Sequence, residues 1–535
     1  MKKQKYLGFS VDRWEFQLSN LVVLIFLAEM CFRTFYHLWH SSTAYLDFVT
    51  DDFFYYFLPA KNLVLHGISS FDGITITNGF HPLWMGCITT AFWICGKSDT
   101  AFFGLLAIVS ALSSYLTFRL LWRLGVEIFT KQSFAAPAAL IATLILSRIC
   151  FLGMEVTITI PLYLYIILRI SRMDFDSLLS RGELMFLGFL SSILILSRLD
   201  AALFVALILV LFIFLSNQKF IDKIRRLLYF MVGGIALPIY VTFAYLAFGN
   251  ILSVSSLAKT SNTAIYLNPD SLRSILFDRD GLGAIIFSII ALILYLFKRQ
   301  TFQASKHRII LLPLLFPLVY YPILLVGSNW FLNRWYLYPL PIAFFFSASF
   351  LSESSLSFLS ENIFKKIRQS LLVLVSPAAM YFSFTLLVND TTNWKPEPMS
   401  IYLNAQKMQP FIQSHPGIYA MGDQAGLTAY MLNVPVIQLE GLNADFNMLH
   451  HIQHEDDLVK VLHEYHVDYL IETSDVNGLP KQGVAFNIEE PHTGQAGKFS
   501  KKMRGLIQSE PIYTQVISNA SGFKLQTYIF DIRTK

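Results

Sequence analysis

The chain of 535 residues is 54% hydrophobic and only 14% charged, whereas soluble proteins contain about 25% charged residues. This composition excludes a disordered, fibrous or nucleic-acid-binding chain and indicates a polytopic membrane protein. Residues 390–535 hold 11 basic and 16 acidic side chains, so the net charge of +5 divides into +10 before residue 390 and −5 after it. We expect the two regions to lie in different surroundings.

The amino-terminal region combines basic residues with an apolar stretch. Lys2, Lys3, Lys5 and Arg13 come first, and no small-residue cleavage site follows residues 21–32. We interpret this region as an uncleaved signal anchor.

Apolar runs recur along the first 389 residues. A helix needs about 20 apolar residues to cross a hydrocarbon core of about 30 Å. Suitable runs occupy about 18–38, 100–118, 134–149, 153–168, 184–197, 200–216, 227–249, 281–297, 309–327, 335–352 and 371–388, and a shorter run occupies 82–96. They predict an α-helical polytopic membrane protein with about 11 spans and a range of about 11–13.

Basic clusters orient these runs. They lie at the amino terminus and within residues 119–131, 169–181, 219–226, 298–308 and 365–368. If all of them face the cytoplasm, the amino terminus lies inside and the tail outside. The run at 82–96 is then interfacial or re-entrant rather than a full crossing.

The predicted organisation has two domains. Residues 1–389 form the transmembrane domain, with a first outer loop at 39–81. Residues 390–535 form an extracytoplasmic domain in which short strands and helices alternate, which indicates a small α/β fold.

Two adjacent carboxylates, Asp51 and Asp52, lie just beyond the first span. Ionised groups beside a membrane lose hydration, so such a pair is costly unless it is used or paired. Neighbouring residues point in different directions on a helix, so we expect different roles for the two. A solvated pair at the end of a span is the alternative.

The segment that follows, SFDGITITNGFHPLW at 70–84, is rich in turn-forming residues and enters an apolar helix at Pro82. A long ordered loop at a membrane surface is typical of a binding element.

These features together resemble the GT-C superfamily of membrane glycosyltransferases, which use polyprenyl-phosphate-linked sugars. The resemblance rests on the basic start, the acidic pair, the loop ending in His-Pro-Leu, and the carboxy-terminal domain. Further similar motifs are GME at 153–155, LSRLD at 196–200, GDQAG at 422–426 and QLEGL at 438–442. The similarity is to bacterial members of the mannosyl- and arabinosyltransferase type, and implies a bacterial inner-membrane enzyme.

The resemblance implies that Asp51 acts as general base on the acceptor, with Asp52 as its supporting partner. The usual family pair is Asp-Glu, whereas this chain has Asp-Asp, which leaves open which carboxylate faces the acceptor. The implied reaction is an inverting transfer of one sugar to a glycan, lipid or protein acceptor on the outer face of the membrane.

The leaving phosphate requires cations or N–H groups. Candidate ligands on the predicted outer face are His81, Arg198, Lys259 and Arg334. Neutralisation of Arg198 by Asp200 is the alternative for that residue, and an interfacial anchor is the alternative for Arg334. The remaining candidates for substrate binding are Tyr55 and Asn78, from the two loop motifs.

The sequence requires no cofactor and leaves a divalent cation open. His450, His451 and His454 lack a fixed-spacing set of further zinc ligands, so we assign no metal site. A transporter or flippase for lipid-linked saccharides is the alternative from another class, and an oligosaccharide transferase would share the fold. The partners expected are the lipid-linked donor, the acceptor and the bilayer, with no nucleic acid.

Overall fold

The computed structural model describes residues 13–40, 49–130, 133–173, 180–215, 218–261, 267–278, 281–297, 308–328, 330–356, 359–388, 396–474, 479, 481–482, 485–491, 501–518 and 524–533. The predicted basic residues at positions 2, 3 and 5, and residues 41–48 of the predicted first outer loop, lie outside these ranges. The same holds for residues 389–395, where the two predicted domains meet.

Helices dominate the first 388 residues. They are α1 (Arg13–His40), α2 (Phe54–His66), α3 (Pro82–Ile94), α4 (Asp99–Ile128), α5 (Ala135–Cys150), α6 (Val156–Ser171), α7 (Arg181–Ser197), α8 (Ala202–Leu215), α9 (Phe220–Gly233), α10 (Ala236–Phe248), α11 (Val254–Lys259), α12 (Pro269–Arg273), α13 (Gly281–Phe297), α14 (Leu311–Gly327), α15 (Pro339–Ser355) and α16 (Glu361–Val388). Each apolar run predicted from the sequence falls largely within one of these helices, except that 227–249 is divided between α9 and α10.

Within the residues that the structure describes, three stretches of helix, Arg13–His40, Asp99–Ile128 and Arg334–Ser355, are long and apolar enough to cross a membrane. Two bent pairs, α9 with α10 and Pro269–Phe277 with Leu282–Phe297, bring the number to five if each pair is one span. Shorter apolar helices, α5, α6 and α14 among them, pack around these. The protein is therefore an α-helical polytopic membrane protein, and the number of spans stays a prediction.

Helix α3 covers most of the short run at 82–96. Its 13 residues reach about 20 Å at 1.5 Å per residue, less than the thickness of a hydrocarbon core of about 30 Å. It packs against α2, α4 and α7. Helix α10 has the same length, so length alone does not distinguish the two arrangements, and the interfacial or re-entrant interpretation of 82–96 stays a prediction.

The carboxy-terminal residues 396–533 form an α/β domain. Its helices are α17 (Pro396–Ser414), α18 (Ala425–Leu432), α19 (Phe446–His454) and α20 (Leu458–Glu464), and its strands are β1 (Tyr419–Met421), β2 (Val436–Gln438), β3 (Tyr469–Ser474), β4 (Lys481–Gln482), β5 (Ala485–Glu490), β6 (Met503–Ile507), β7 (Tyr513–Ser518) and β8 (Lys524–Asp531). The predicted α/β character of this domain is confirmed.

The main sheet has the order β2-β1-β3-β8-β7, in which β2, β1 and β3 are parallel and β8 and β7 antiparallel. Strands β4, β5 and β6 form a second, antiparallel sheet. The carboxyl ends of β1 and β2 lead into residues 422–426 and 439–443. In parallel sheets, ligand sites form at this edge, and here both segments face the first loop of the membrane domain.

A hydrophobic cluster joins the two domains. Tyr55 and Phe71 of the first loop and Val254 of α11 pack in one cluster with Tyr419 and Leu442 of the carboxy-terminal domain. Because burial of apolar area stabilises contacts at about 25 cal/mol per Å², the domain is held against the membrane domain by packing as well as by polar contacts.

Candidate active site

A cleft lies where the first loop, α11, the turn before α15 and the carboxy-terminal domain meet. Its walls are formed by Asp52, Tyr55, Tyr56, Gly79, Phe80, His81, Met154, Glu155, Ser255, Lys259, Trp335, Tyr336 and Leu442. Four of the candidates from the sequence, Asp52, Tyr55, His81 and Lys259, therefore share one cleft.

The two adjacent aspartates have different surroundings. They begin a 3₁₀ turn, Asp51–Phe53, that runs directly into α2. Asp52 lies on the cleft wall. Asp51 Oδ1 accepts a hydrogen bond of 2.6 Å from the backbone N–H of Leu427, in the first turn of α18. The carboxylate thus lies at the positive end of a helix dipole, where negative charge is favoured.

The loop between α2 and α3 is organised by Asp72. Its carboxylate accepts hydrogen bonds from the backbone N–H groups of Ile74 and Thr75, both at 2.7 Å, and from the hydroxyls of Thr75 at 2.6 Å and Ser70 at 2.9 Å. Such local bonds are the reason that Asp, Ser and Thr favour turns. These bonds hold the loop in one conformation, and His81 lies at its end, directly before α3.

Glu155, Arg198 and Asp200 form a buried charge network behind the cleft wall. Arg198 is 1% exposed and donates to Glu155 Oε1 at 2.5 Å and to both oxygens of Asp200 at 2.8 and 2.6 Å. Glu155 also accepts from the Tyr56 hydroxyl at 2.9 Å, and Asp200 from the Tyr320 hydroxyl at 2.7 Å. Two carboxylates thus neutralise Arg198. One of them, Glu155, also lines the cleft.

The network keeps Asp200 charged. Burial would raise the pKa of Asp200, but Arg198 outweighs it and lowers the pKa to about 2. The Arg198 guanidinium lies 4.5 Å from the Tyr336 ring centroid, within the range of a cation–π contact. Arg198 therefore contacts two residues that line the cleft, Glu155 and Tyr336.

His81 is a neutral hydrogen-bond donor in this setting. Burial lowers the pKa of His81 to about 4, against the opposing effect of Glu155. The backbone N–H of Leu199 donates to Nδ1 at 3.3 Å. A neutral imidazole that accepts at Nδ1 carries its proton on Nε2, and Nε2 lies 3.9 Å from Glu155 Oε1 on the cleft side.

Lys259, at the end of α11, is the cation of the cleft wall. Its ammonium group donates to the Tyr336 hydroxyl at 3.3 Å. Burial lowers the pKa of Lys259, but Tyr336, Asp52 and Glu155 outweigh burial and raise it above its ordinary value. The side chain is therefore charged at every physiological pH.

Two predicted substrate ligands lie elsewhere. Asn78 is fully buried and connects loops: its Oδ1 accepts from the backbone N–H of Val254 at 2.9 Å, and its Nδ2 donates to the Leu252 carbonyl at 3.3 Å. Arg334 is exposed, does not line the cleft, and is electrostatically coupled to Arg148.

Other residues of the site were not selected from the sequence. Tyr336 and Leu442 line the cleft, and Glu440, 2% exposed, lies behind it. Burial raises the pKa of Glu440 well above its ordinary value, and Asp423, Asp52 and Asp51 raise it further. Leu442 and Glu440 belong to the QLEGL motif, which was noticed only as part of the resemblance.

Among the described residues, one group has three potential metal ligands close together: His450, His451 and Asp456. It lies on the surface of the carboxy-terminal domain, where the His451 ring pairs with Asp456 at 2.7 Å. The carboxylates near Asp52 do not form such a group.

No known protein family and no curated protein sequence matches the chain. Among solved structures, the chain is similar to ArnT from Cupriavidus metallidurans bound to undecaprenyl phosphate, with 12% identity and a TM-score of 0.52 over 96% of this chain and 98% of that one. For apo ArnT of the same organism the identity is 11% and the TM-score 0.48, over 85% and 93% of the two chains.

A third similar structure is the archaeal oligosaccharyltransferase AglB from Archaeoglobus fulgidus in complex with an inhibitory peptide and a dolichol-phosphate. Its identity is 12% and its TM-score 0.47, over 86% of this chain and 69% of that one. The similarity to the lipid-bound ArnT structure extends over both chains almost completely. The chain therefore has the fold of this ArnT structure, and the predicted fold class, a helical membrane domain followed by an α/β domain, is confirmed.

Proposed function

We propose that the protein is a glycosyltransferase that moves a sugar from a polyprenyl-phosphate donor to a hydroxyl group of an acceptor. The observation that carries the proposal is that a carboxylate, Asp52, and a charged ammonium group, Lys259, lie on the walls of one cleft. In the proposed reaction a base must take a proton from the acceptor hydroxyl, and a cation must stabilise the leaving phosphate. The undecaprenyl phosphate bound to the structurally similar ArnT supports this class of donor.

We assign the role of general base to Asp52 and not to Asp51, the residue that the resemblance favours for this role. Asp52 lies on the wall of the cleft, whereas the carboxylate of Asp51 accepts from the backbone of α18. In the proposed step the acceptor oxygen attacks the anomeric carbon, and its proton passes to Asp52. The bond from the anomeric carbon to the phosphate oxygen breaks with inversion, and the phosphate leaves with the electron pair.

Lys259 and His81 are suited to the leaving phosphate. Lys259 supplies a fixed positive charge, and the Nε2–H of neutral His81 supplies a hydrogen bond without adding charge. Donors held in place before the reaction stabilise developing negative charge more effectively than water does. Arg198, whose charge is neutralised by Glu155 and Asp200, acts by holding Glu155 in place on the cleft wall.

The proposed location is a bacterial inner membrane, with the cleft and the carboxy-terminal domain on the extracytoplasmic side. The distribution of basic clusters supports this orientation. The acceptor is then a glycan, lipid or protein of the cell envelope.

The test is donor turnover by the purified full chain in lipid nanodiscs, with polyprenyl-phosphate sugars and acceptors extracted from the source membranes. Released polyprenyl phosphate is measured, because it appears whichever acceptor is used. We expect Asp52→Asn to reduce turnover by about 10²–10⁴-fold, the usual contribution of a general base. Asp270→Asn is the matched control, since Asp270 is exposed and does not line the cleft.

Full turnover by Asp52→Asn would refute the assignment of the base. Movement of intact donor across a vesicle membrane without cleavage would identify a transporter instead. Mass spectrometry of envelope glycans from a deletion strain would then identify the sugar and the acceptor.

A further inference from the structure

The carboxy-terminal domain contacts the membrane domain at the residues that flank the base. Asp51 accepts from the Leu427 backbone at 2.6 Å. On the other side of Asp52, the side-chain amide of Asn443 donates to the backbone carbonyl of Tyr55. The turn that carries Asp52 is therefore held from both sides by residues more than 370 positions away.

The backbones approach as closely as glycine permits. A Cβ atom on Gly79 of the first loop would lie 2.0 Å from the carbonyl oxygen of Leu442. A Cβ atom on Gly426 of α18 would lie 2.5 Å from the carbonyl oxygen of Asp51. Any larger residue would force these segments apart, so the fit between the two domains depends on both glycines.

The turn at residues 439–443 is itself rigid. Gln438 Oε1 accepts from the backbone N–H groups of Leu442 at 3.0 Å and Asn443 at 3.4 Å, and Gln438 Nε2 donates to Glu440 at 3.1 Å. Asn443 is 1% exposed. The amide that holds Tyr55 is thus fixed in position before any substrate binds.

The same domain also holds the helix that carries Lys259. Ser261, just beyond α11, accepts at its hydroxyl from Gln453 at 3.3 Å and at its carbonyl from the backbone N–H of Lys501 at 3.1 Å. Leu442 lines the cleft beside Lys259. One domain therefore contacts both the segment of the proposed base and the segment of the proposed phosphate ligand.

We propose that the turn at residues 439–443 is a positioning element of the active site and that Asn443 is a positioning residue for Asp52. The inference rests on the proposed function, because it assigns Asp52 as the group positioned. The carboxy-terminal domain is accordingly a part of the catalytic unit. Its removal would leave the base and the phosphate ligand without their mutual geometry.

The first experiment compares Asn443→Ala with Asn447→Ala in the nanodisc assay. Asn447 is exposed in the same domain, so the second variant is a matched control. We expect Asn443→Ala to lower kcat by about 10–100-fold, because a small displacement of a catalytic group has effects of this size. We expect an unchanged KM for the donor, because Lys259 is not altered.

The second experiment separates positioning from folding. In the Asp52→Asn background, Asn443→Ala should lower the residual rate by no more than about 2-fold, because residues that act through one another are not additive. Equal losses in both backgrounds would overturn the inference. Wild-type kcat in Asn443→Ala would also overturn it.

The third experiment uses Asn443→Asp, which keeps the shape of the side chain and serves if the alanine variant does not fold. Only a protonated Asp side chain can donate to the Tyr55 carbonyl. The loss relative to wild type should therefore shrink as the pH is lowered, and a ratio independent of pH would refute the role of the hydrogen bond.

The failures of the two proposals are distinguishable. Full activity of Asp52→Asn would refute the base whatever Asn443→Ala does. An inactive Asp52→Asn variant together with a fully active Asn443→Ala variant would refute the positioning role alone.

Discussion

Replacement of Asp51 distinguishes a structural carboxylate from a catalytic one. The bond of 2.6 Å to the Leu427 backbone has a charged acceptor, and hydrogen bonds to charged groups contribute about 1.5–3 kcal/mol. The position at the start of α18 adds about 0.3–1 kcal/mol through the helix dipole. Asp51→Ala should therefore lower the free energy of unfolding by about 2–4 kcal/mol.

Asp51→Asn keeps an oxygen that can accept the same bond. A neutral hydrogen bond contributes about 0.5–1.5 kcal/mol, so the asparagine variant should lose roughly half as much stability as the alanine variant. Because Asp52 stays in place, we expect Asp51→Asn to keep donor turnover within about 5-fold of wild type, whereas Asp52→Asn loses the about 10²–10⁴-fold contribution of a base.

The assay combines thermal unfolding of the purified chain in detergent with release of polyprenyl phosphate in nanodiscs. Both aspartate-to-asparagine variants are compared at equal amounts of folded protein. If Asp51→Asn loses as much turnover as Asp52→Asn while its unfolding midpoint stays near wild type, Asp51 is the base and the division of roles is wrong.

Three further predictions concern the charges around the cleft. Arg198→Met should lower the free energy of unfolding by about 3–5 kcal/mol, because it leaves two buried carboxylates without their cation; thermal unfolding measures this. The folded-state pKa of His81, about 4 against an ordinary 6.5, means that the unfolded state takes up the proton first. Stability should therefore be complete above pH 6.5 and fall by up to about 3 kcal/mol toward pH 4, and His81→Gln should remove this part of the pH dependence of the unfolding midpoint. Glu440 shows the opposite sign, since its pKa is raised by burial: stability should fall as the pH rises above the unfolded value of 4.5, and Glu440→Gln should be increasingly more stable than wild type toward high pH.

The membrane part of the fold follows from local sequence. A run of apolar residues predicts a helix without reference to its neighbours, because a backbone in a bilayer must satisfy its own hydrogen bonds. Each predicted run accordingly falls largely in helix. The bend between α9 and α10, of 49°, does not follow from hydropathy, because it depends on how the two halves pack against other helices.

The site could be predicted only in part, and the reason is the distance along the chain between partners. The adjacent carboxylates indicated a functional pair, and adjacency indicated different directions. The distinction between Asp51 and Asp52 depends on Leu427, 376 residues away. Likewise Asn78 lies in a segment with the composition of a binding loop, but its side chain bonds to the backbone of Leu252 and Val254.

Arg198 and Lys259 belong to one class of candidate in the sequence but differ in the structure. Both are basic residues in predicted outer segments, but their surroundings give them different tasks. Arg198 is matched by two carboxylates at hydrogen-bond distance, which leaves it little attraction for a further anion. Lys259 meets a phenol hydroxyl directly and carboxylates only through space, so in the proposed reaction its charge is available to the leaving phosphate. Keeping the total charge of this region is therefore not enough for the proposed function. The function also needs one cation that carboxylates neutralise directly, Arg198, and one that they do not, Lys259.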